Sequence, residues 1–238
     1  MGNIKEIASW YVNIFSLYSL ACVFLPCILY QLFLVCKGRK NGKKCKKEYF
    51  IWLCIFLFYI WMVFQVTGVG LLADVLRTDK KLFAGGVNLV PFASFGMGYI
   101  LNIIMCMPLG FLLPFIWKEC RSLGRTAFTG AAFSLLIELS QLFNYRSLDI
   151  DDLTANILGT IAGYLIWSIA ADIRKEMEKK RRKRKIRKIH NEEEEFMKFV
   201  TSEWEIPLPV KHVKGHAQVY LFLSLAGTFF LYNPYLLY

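Results

Sequence analysis

The feature that most limits what this chain can fold into is a series of apolar runs, each about as long as a bilayer is thick. A hydrocarbon core needs roughly 20 apolar residues per helix, and lipid offers no hydrogen bonds to an open strand or loop. Such runs cover about residues 8–35, 49–69, 99–117, 126–143 and 152–173, with a shorter one at 217–232. They predict an all-α fold, a polytopic transmembrane bundle of five or six helices. Pro26 is expected to kink the first span, and Pro108, Gly110 and Pro114 interrupt the third. Near the start, Lys5 is balanced by Glu6 and no small-residue cleavage site follows, so the first run reads as a span rather than a cleaved leader.

Composition agrees. The chain is 56% hydrophobic with mean hydropathy +0.40, and the excess sits in runs rather than in amphipathic stripes. The formal charge of +11 alone would suggest nucleic acid. However, the cations cluster between apolar runs, with no zinc-finger, RNA-recognition or helix-turn-helix pattern around them, so no nucleic acid is expected as a partner. Seven cysteines without CxxC spacing give neither a disulfide framework nor a zinc site. Cys22, Cys27, Cys54 and Cys106 read as small hydrophobes inside spans. Palmitoylation of Cys36 or Cys45 is the minority reading.

The cations set the expected orientation. Cytoplasmic loops carry the excess of lysine and arginine. The loop after the first span holds Lys37, Arg39, Lys40, Lys43, Lys44, Lys46 and Lys47 against Glu48. Alternation puts the Lys118, Arg121 and Arg125 loop on the same side, along with the basic stretch from Arg174 to Lys188. The N-terminus is then extracytoplasmic, and the stretch from Arg174 reads as an anchor on anionic headgroups. Its continuation, Glu192 to Glu195, is expected to fold back as a charge-compensated helix. Three regions follow: two N-terminal spans with their basic loop (1–84), a three-span core (85–173), and a basic tail with the short last run (174–238).

With this orientation the polar residues of the core fall in one extracytoplasmic layer. It contains Asn88 and Pro91 from the loop after the second span, Asn102 near the outer end of the third, and Glu138 and Gln141 near the outer end of the fourth. Arg146, Asp149, Asp151 and Asp152 follow in the next loop, and Asn156 lies one turn into the fifth span. At about 1.5 Å per residue, Glu138 lies about 8 Å below Phe143. Asp149, Asp152, Asn156, Gly159 and Gly163 form one helical stripe. Ala155, Gly159 and Gly163 form a small-residue ridge that admits a close neighbouring helix. Ser134, Glu138 and Gln141 share a face of the fourth span.

Each group also has a structural reading. Asp149 and Asp152 fit the first and last positions of a capping box, and Asn102 fits interhelical glue. An ionisable residue inside a span costs about 2.5–3.5 kcal/mol on insertion scales and by default faces a partner or cavity. For Glu138 the expected partner is Arg146, with Asp149 and Asp152 competing for the guanidinium. A purely structural ion pair is the alternative.

These residues carry a resemblance. Asn88-Leu-Val-Pro-Phe92, Asn102 with Met107-Pro-Leu-Gly110, Glu138-Leu-Ser-Gln141, and Arg146 followed by Asp149, Asp152, Asn156, Gly159 and Gly163 resemble the VanZ-like family of bacterial membrane proteins over about residues 85–170. The resemblance implies a plasma-membrane protein and a phenotype rather than a reaction, since the founding member lowers susceptibility to glycopeptide antibiotics, teicoplanin in particular.

Three functions follow, in this order. The first is a non-catalytic envelope protein. Its outward pocket (Asn88, Pro91, Asn102, Glu138, Gln141, Arg146, Asp149, Asp152, Asn156) would bind an envelope lipid, a lipid-linked cell-wall precursor or the lipoglycopeptide. The second is an intramembrane acid–base enzyme acting on an envelope lipid or glycan. Its catalytic candidates are Glu138, Asp149 or Asp152, with Arg146 as anion stabiliser. The third is a transporter, disfavoured because no inverted repeat and no polar residue near the midplane is apparent. No cofactor is expected. A magnesium or calcium site of Glu138, Asp149, Asp151 and Asp152 has little support, since no histidine joins them. His212 and His216 would share a helical face, a weak basis for a metal.

Overall fold

A computed structural model describes residues 17–40, 47–76, 86–88, 90, 96–144, 146–190 and 213–233. Among these residues, six helices of 15 residues or more make up the bundle: α1 (Leu17–Lys40), α2 (Lys47–Thr67), α3 (Met97–Ile116), α4 (Leu123–Gln141), α5 (Ile150–His190) and α6 (Ala217–Leu231). Five are long and apolar enough to cross a membrane. The chain is a membrane protein. Leu29, Phe33, Ile55, Phe58, Ile104 and Leu165 are exposed on the flanks of the helices, as a lipid-facing surface requires. Phe56, Leu57, Ile60, Leu109, Leu113 and Tyr220 form the packed interior.

The expected spans are present with shifted ends. The start of the first falls outside the described residues, and its helix runs past position 35 to Lys40, so that Lys37, Arg39 and Lys40 complement the helix dipole. Pro26 stays within α1 and leaves the Cys22 carbonyl without its intrahelical N–H. Gly227 of α6 lies against that carbonyl, where a Cβ would approach to 2.2 Å. The short last run is helical, only 15 residues long, and nonetheless passes from one end of the bundle to the other. At one end the Trp117 indole donates to the Gly215 carbonyl at 2.7 Å. At the other the Tyr18 hydroxyl donates to the Leu231 carbonyl.

The largest departure from expectation is α5. It continues without a break through position 173 to His190, 41 residues in all, about 60 Å at 1.5 Å per residue. The first part of the basic tail is therefore an extension of the last core helix. Lys175 pairs with Asp172 there at 3.0 Å, and Glu176 and Glu178 alternate with Lys179, Lys180 and Arg182 at spacings that support a helix. Glu192 to Glu195 and His212 lie outside the described residues.

The closest helix packing joins α3 to α5. The small-residue ridge works as expected, and its neighbour is α3. A Cβ on Gly159 would meet the Ile103 carbonyl oxygen at 2.2 Å, one on Gly163 the Met107 oxygen at 1.9 Å, and one on Gly110 the Thr160 oxygen at 1.9 Å. α4 lies on the other side of Thr160, through Gly130. The bundle thus has a basic end, with Lys37, Arg39, Lys40 and Lys47, the 117–123 connection and Lys214, and a polar end where α2 and α4 stop and α5 starts.

Candidate functional site

The polar end is assembled by backbone first. Val87 and Asn88 pair in parallel with Leu148 and Asp149, two residues from each segment, setting Asn88 opposite Asp149. No strand was expected here, and it is this pairing that draws the loop after α2 onto the start of α5. The Asn88 amide donates to Asp149 Oδ2 at 3.3 Å, and Asn88 Oδ1 accepts the Val90 N–H at 3.2 Å.

Asp149 has two roles in one position. Its Oδ1 accepts the Asp151 N–H at 2.9 Å, which makes it the N-cap of α5. Its own N–H donates to Glu138 Oε2 at 3.4 Å. Glu138 is 3% exposed, and among the described residues that is the one hydrogen bond its carboxylate accepts. Asp152 does not close a capping box. It accepts the Asn102 amide at 2.5 Å across the α3–α5 contact, and Asp151 beside it is buried.

One turn deeper, the Asn156 amide donates to Ser134 Oγ at 2.8 Å, and the Cys106 thiol donates to Asn156 Oδ1 at 3.1 Å. Sequence reasoning left Cys106 among the apolar residues, and it set Asp151 in the polar layer and Ser134 on the Glu138 face without counting either in the pocket. The signal for Cys106 was its spacing, since Asn102, Cys106 and Gly110 recur every four residues on one face of α3. Ser134 lies mid-way along α4, which corrects the expectation that no polar residue occupies the midplane. Gln31, buried on α1 and accepting from the Tyr220 hydroxyl, is a second buried polar group within a span, nearer the basic end.

Gln141 and Arg146 turn away from this cluster. The Gln141 amide donates to the Thr67 carbonyl at 2.6 Å, the Arg146 guanidinium donates to the same oxygen, and the Asn144 amide donates to the Gly68 carbonyl at 2.8 Å. Together they satisfy carbonyls left open at the C-terminus of α2. Gly68 ends that helix with φ +65°, and a Cβ there would lie 3.2 Å from Arg146 Nη1. The expected Glu138–Arg146 ion pair is not formed: among the described residues no contact within 4.0 Å joins Arg146 to a carboxylate. The helix end nearby provides a carbonyl that the exposed Arg146 reaches without the desolvation a buried pair would require. Pro91 lies outside the described residues. Among those described, no three histidine, cysteine, aspartate or glutamate side chains converge as a metal-binding group.

The sequence model of the VanZ/LLP1 family matches residues 50–171, just over half of the chain. The chain belongs to the VanZ/LLP1 family. The match takes in α2 as well as the three-helix core. That is consistent with the geometry, because the α2 C-terminus is what Gln141, Asn144 and Arg146 hold. The basic extension of α5 and the whole of α6 lie beyond the matched region. No curated protein and no solved structure matches this VanZ-family chain.

Proposed function

We propose that this VanZ-family protein sits in a bacterial plasma membrane with its N-terminus and polar end facing outward, and that the polar end binds an envelope lipid, a lipid-linked cell-wall precursor or a lipoglycopeptide, lowering susceptibility to glycopeptide antibiotics such as teicoplanin. The orientation is supported by the lysine and arginine bias of the three segments at the opposite end. The observation that carries the binding reading is the layered set Asn88–Asp149–Glu138 and Asn102–Asp152, carboxylates and amides held at the mouth of the α3–α5 pair. Such donors and acceptors suit amine and sugar-hydroxyl groups. The test is lipid mass spectrometry of the purified protein beside an Asp149→Asn variant. A copurifying headgroup lost in the variant supports the reading, and identical lipid profiles count against it.

The second reading is an acid–base enzyme acting on an envelope lipid or glycan. It is favoured by Glu138, a buried carboxylate with a single long hydrogen bond, where Asp152 is engaged by an amide and Asp149 by the cap of α5. Glu138→Gln keeps shape and removes the exchangeable charge. Undiminished teicoplanin protection in that variant at full expression excludes proton transfer by Glu138 and leaves binding standing.

A further inference from the structure

The chain has a second site-like feature, at its basic end and on the opposite side of the bundle from the VanZ-family cluster. A cleft of about 680 Å³ opens between α2, α3, α5 and the segment before α6. Its wall is aromatic: Trp52 and Phe115 meet edge to face with centroids 4.5 Å apart, and Phe111 stacks on Phe115 at 6.0 Å. Its rim carries four cations, Arg121, Arg174, Lys175 and Lys214, against Glu48 and Asp172. Asp172 is already engaged by Lys175 at 3.0 Å.

Two of the cations are fixed in place. Arg121 Nε donates to the Pro114 carbonyl at 3.3 Å, with its guanidinium carbon 5.9 Å from the centre of the Trp167 ring. Lys214 donates to the Ile116 carbonyl at 3.4 Å and lies 5.3 Å from the Tyr49 ring centre. Capping the end of α3 accounts for one donor of the five that a guanidinium carries. It does not account for a cavity between the cations or for an aromatic wall beneath them.

We propose that this cleft binds an anionic phospholipid, its phosphate between Arg121, Arg174 and Lys214 and its acyl chains against Trp52, Phe111 and Phe115. The cleft lies where tryptophan and tyrosine mark the headgroup level of a bilayer, with Tyr49, Trp52, Tyr164 and Trp167 all on its lining. Basic pockets between membrane helices suit this class of headgroup. Trp52 is 37% exposed and Ile51 and Ile55 beside it on α2 are exposed, so the wall runs onto the surface that lipid covers. A soluble phosphate would have no use for that wall.

The test uses the full chain in neutral detergent, titrated with phosphatidylglycerol or phosphatidylcholine of the same acyl chains and read by native mass spectrometry. Phosphatidylglycerol is expected to bind more tightly, and R121Q and R174Q to weaken it by roughly fivefold per charge removed. R174Q alone alters only an exposed side chain and keeps the test sound if R121Q disturbs α3. R181Q with R182Q removes the same charge from α5 beyond the cleft and is expected to leave affinity unchanged. Equal binding of the two lipids, or equal losses from cleft and tail variants, would overturn the proposal. Displacement by glycerol 3-phosphate at concentrations comparable to the lipid would overturn it in favour of a soluble anion.

Discussion

Asn102 on α3 donates its amide to the Asp152 carboxylate on α5 across 2.5 Å, joining the two helices directly above the contacts of Gly159 and Gly163. The bond fixes the end of the α3–α5 pair, whereas the glycines fix its depth. Interhelical hydrogen bonds in membrane proteins couple by about 0.6 kcal/mol on average and up to about 1.7. A cycle of Asn102→Ala, Asp152→Ala and the double variant, read as unfolding free energy in mixed micelles, is expected to give coupling toward the upper end of that range. Additive single effects would show that the two side chains do not support one another.

The glycine contacts predict a sharper contrast. A methyl group on Gly163 would lie 1.9 Å from the Met107 carbonyl oxygen, whereas nothing lies within 4 Å of one on Gly124 at the start of α4. Neither helix can retreat from a backbone oxygen without moving as a whole, so Gly163→Ala should destabilise by about 1–3 kcal/mol. Gly124→Ala should leave stability unchanged or slightly higher, since alanine is the better helix former. Thermal unfolding of the two variants side by side reads the difference. Equal midpoints would mean that α3 and α5 are not in backbone contact.

How much of this was legible in the sequence depended on whether a residue's environment is set by its own helix. The spans, the stripe from Asp149 to Gly163 and the small-residue ridge were readable because lipid forces helices, and helices impose their period. The gathering of Asn102, Asp149, Asp152 and Glu138 was readable because depth follows from spacing and charge bias. The partner of Arg146 was not, since it depends on where α2 ends relative to a loop 79 residues away in sequence. The Val87–Asn88 and Leu148–Asp149 pairing is two residues long on each side, too short to leave a period. The extension of α5 was hidden because its charged residues read equally well as a solvated tail and as a helix with alternating charge.

The placement of Arg146 gives a prediction that separates an ion pair from a helix cap. Breaking an Arg146–Glu138 pair would make Arg146→Gln and Glu138→Gln strongly non-additive. With the guanidinium on the Thr67 carbonyl and Glu138 on the Asp149 N–H, the coupling between the two changes should stay below about 1 kcal/mol. Arg146→Lys should retain most of the stability, because a single carbonyl acceptor does not need the planar fork of arginine. Coupling above about 1 kcal/mol between the two positions would restore the ion pair and contradict the cap.

Orientation decides which molecules the polar end can meet. Ser147 is exposed at that end, beside Arg146 and Leu148, and Glu119 is exposed in the connection from α3 to α4 at the basic end. Lysine and arginine resist translocation, and the segments around Glu119 and after Ile173 are rich in both. In a chain with Cys36 and Cys45 replaced by serine, Ser147→Cys should react with a membrane-impermeant maleimide on intact cells. Glu119→Cys should react only after permeabilisation. The reverse pattern would place Glu138 and its neighbours toward the cytoplasm, where neither an extracellular antibiotic nor an outer-leaflet precursor reaches them, and the proposed ligand class would fall with the orientation.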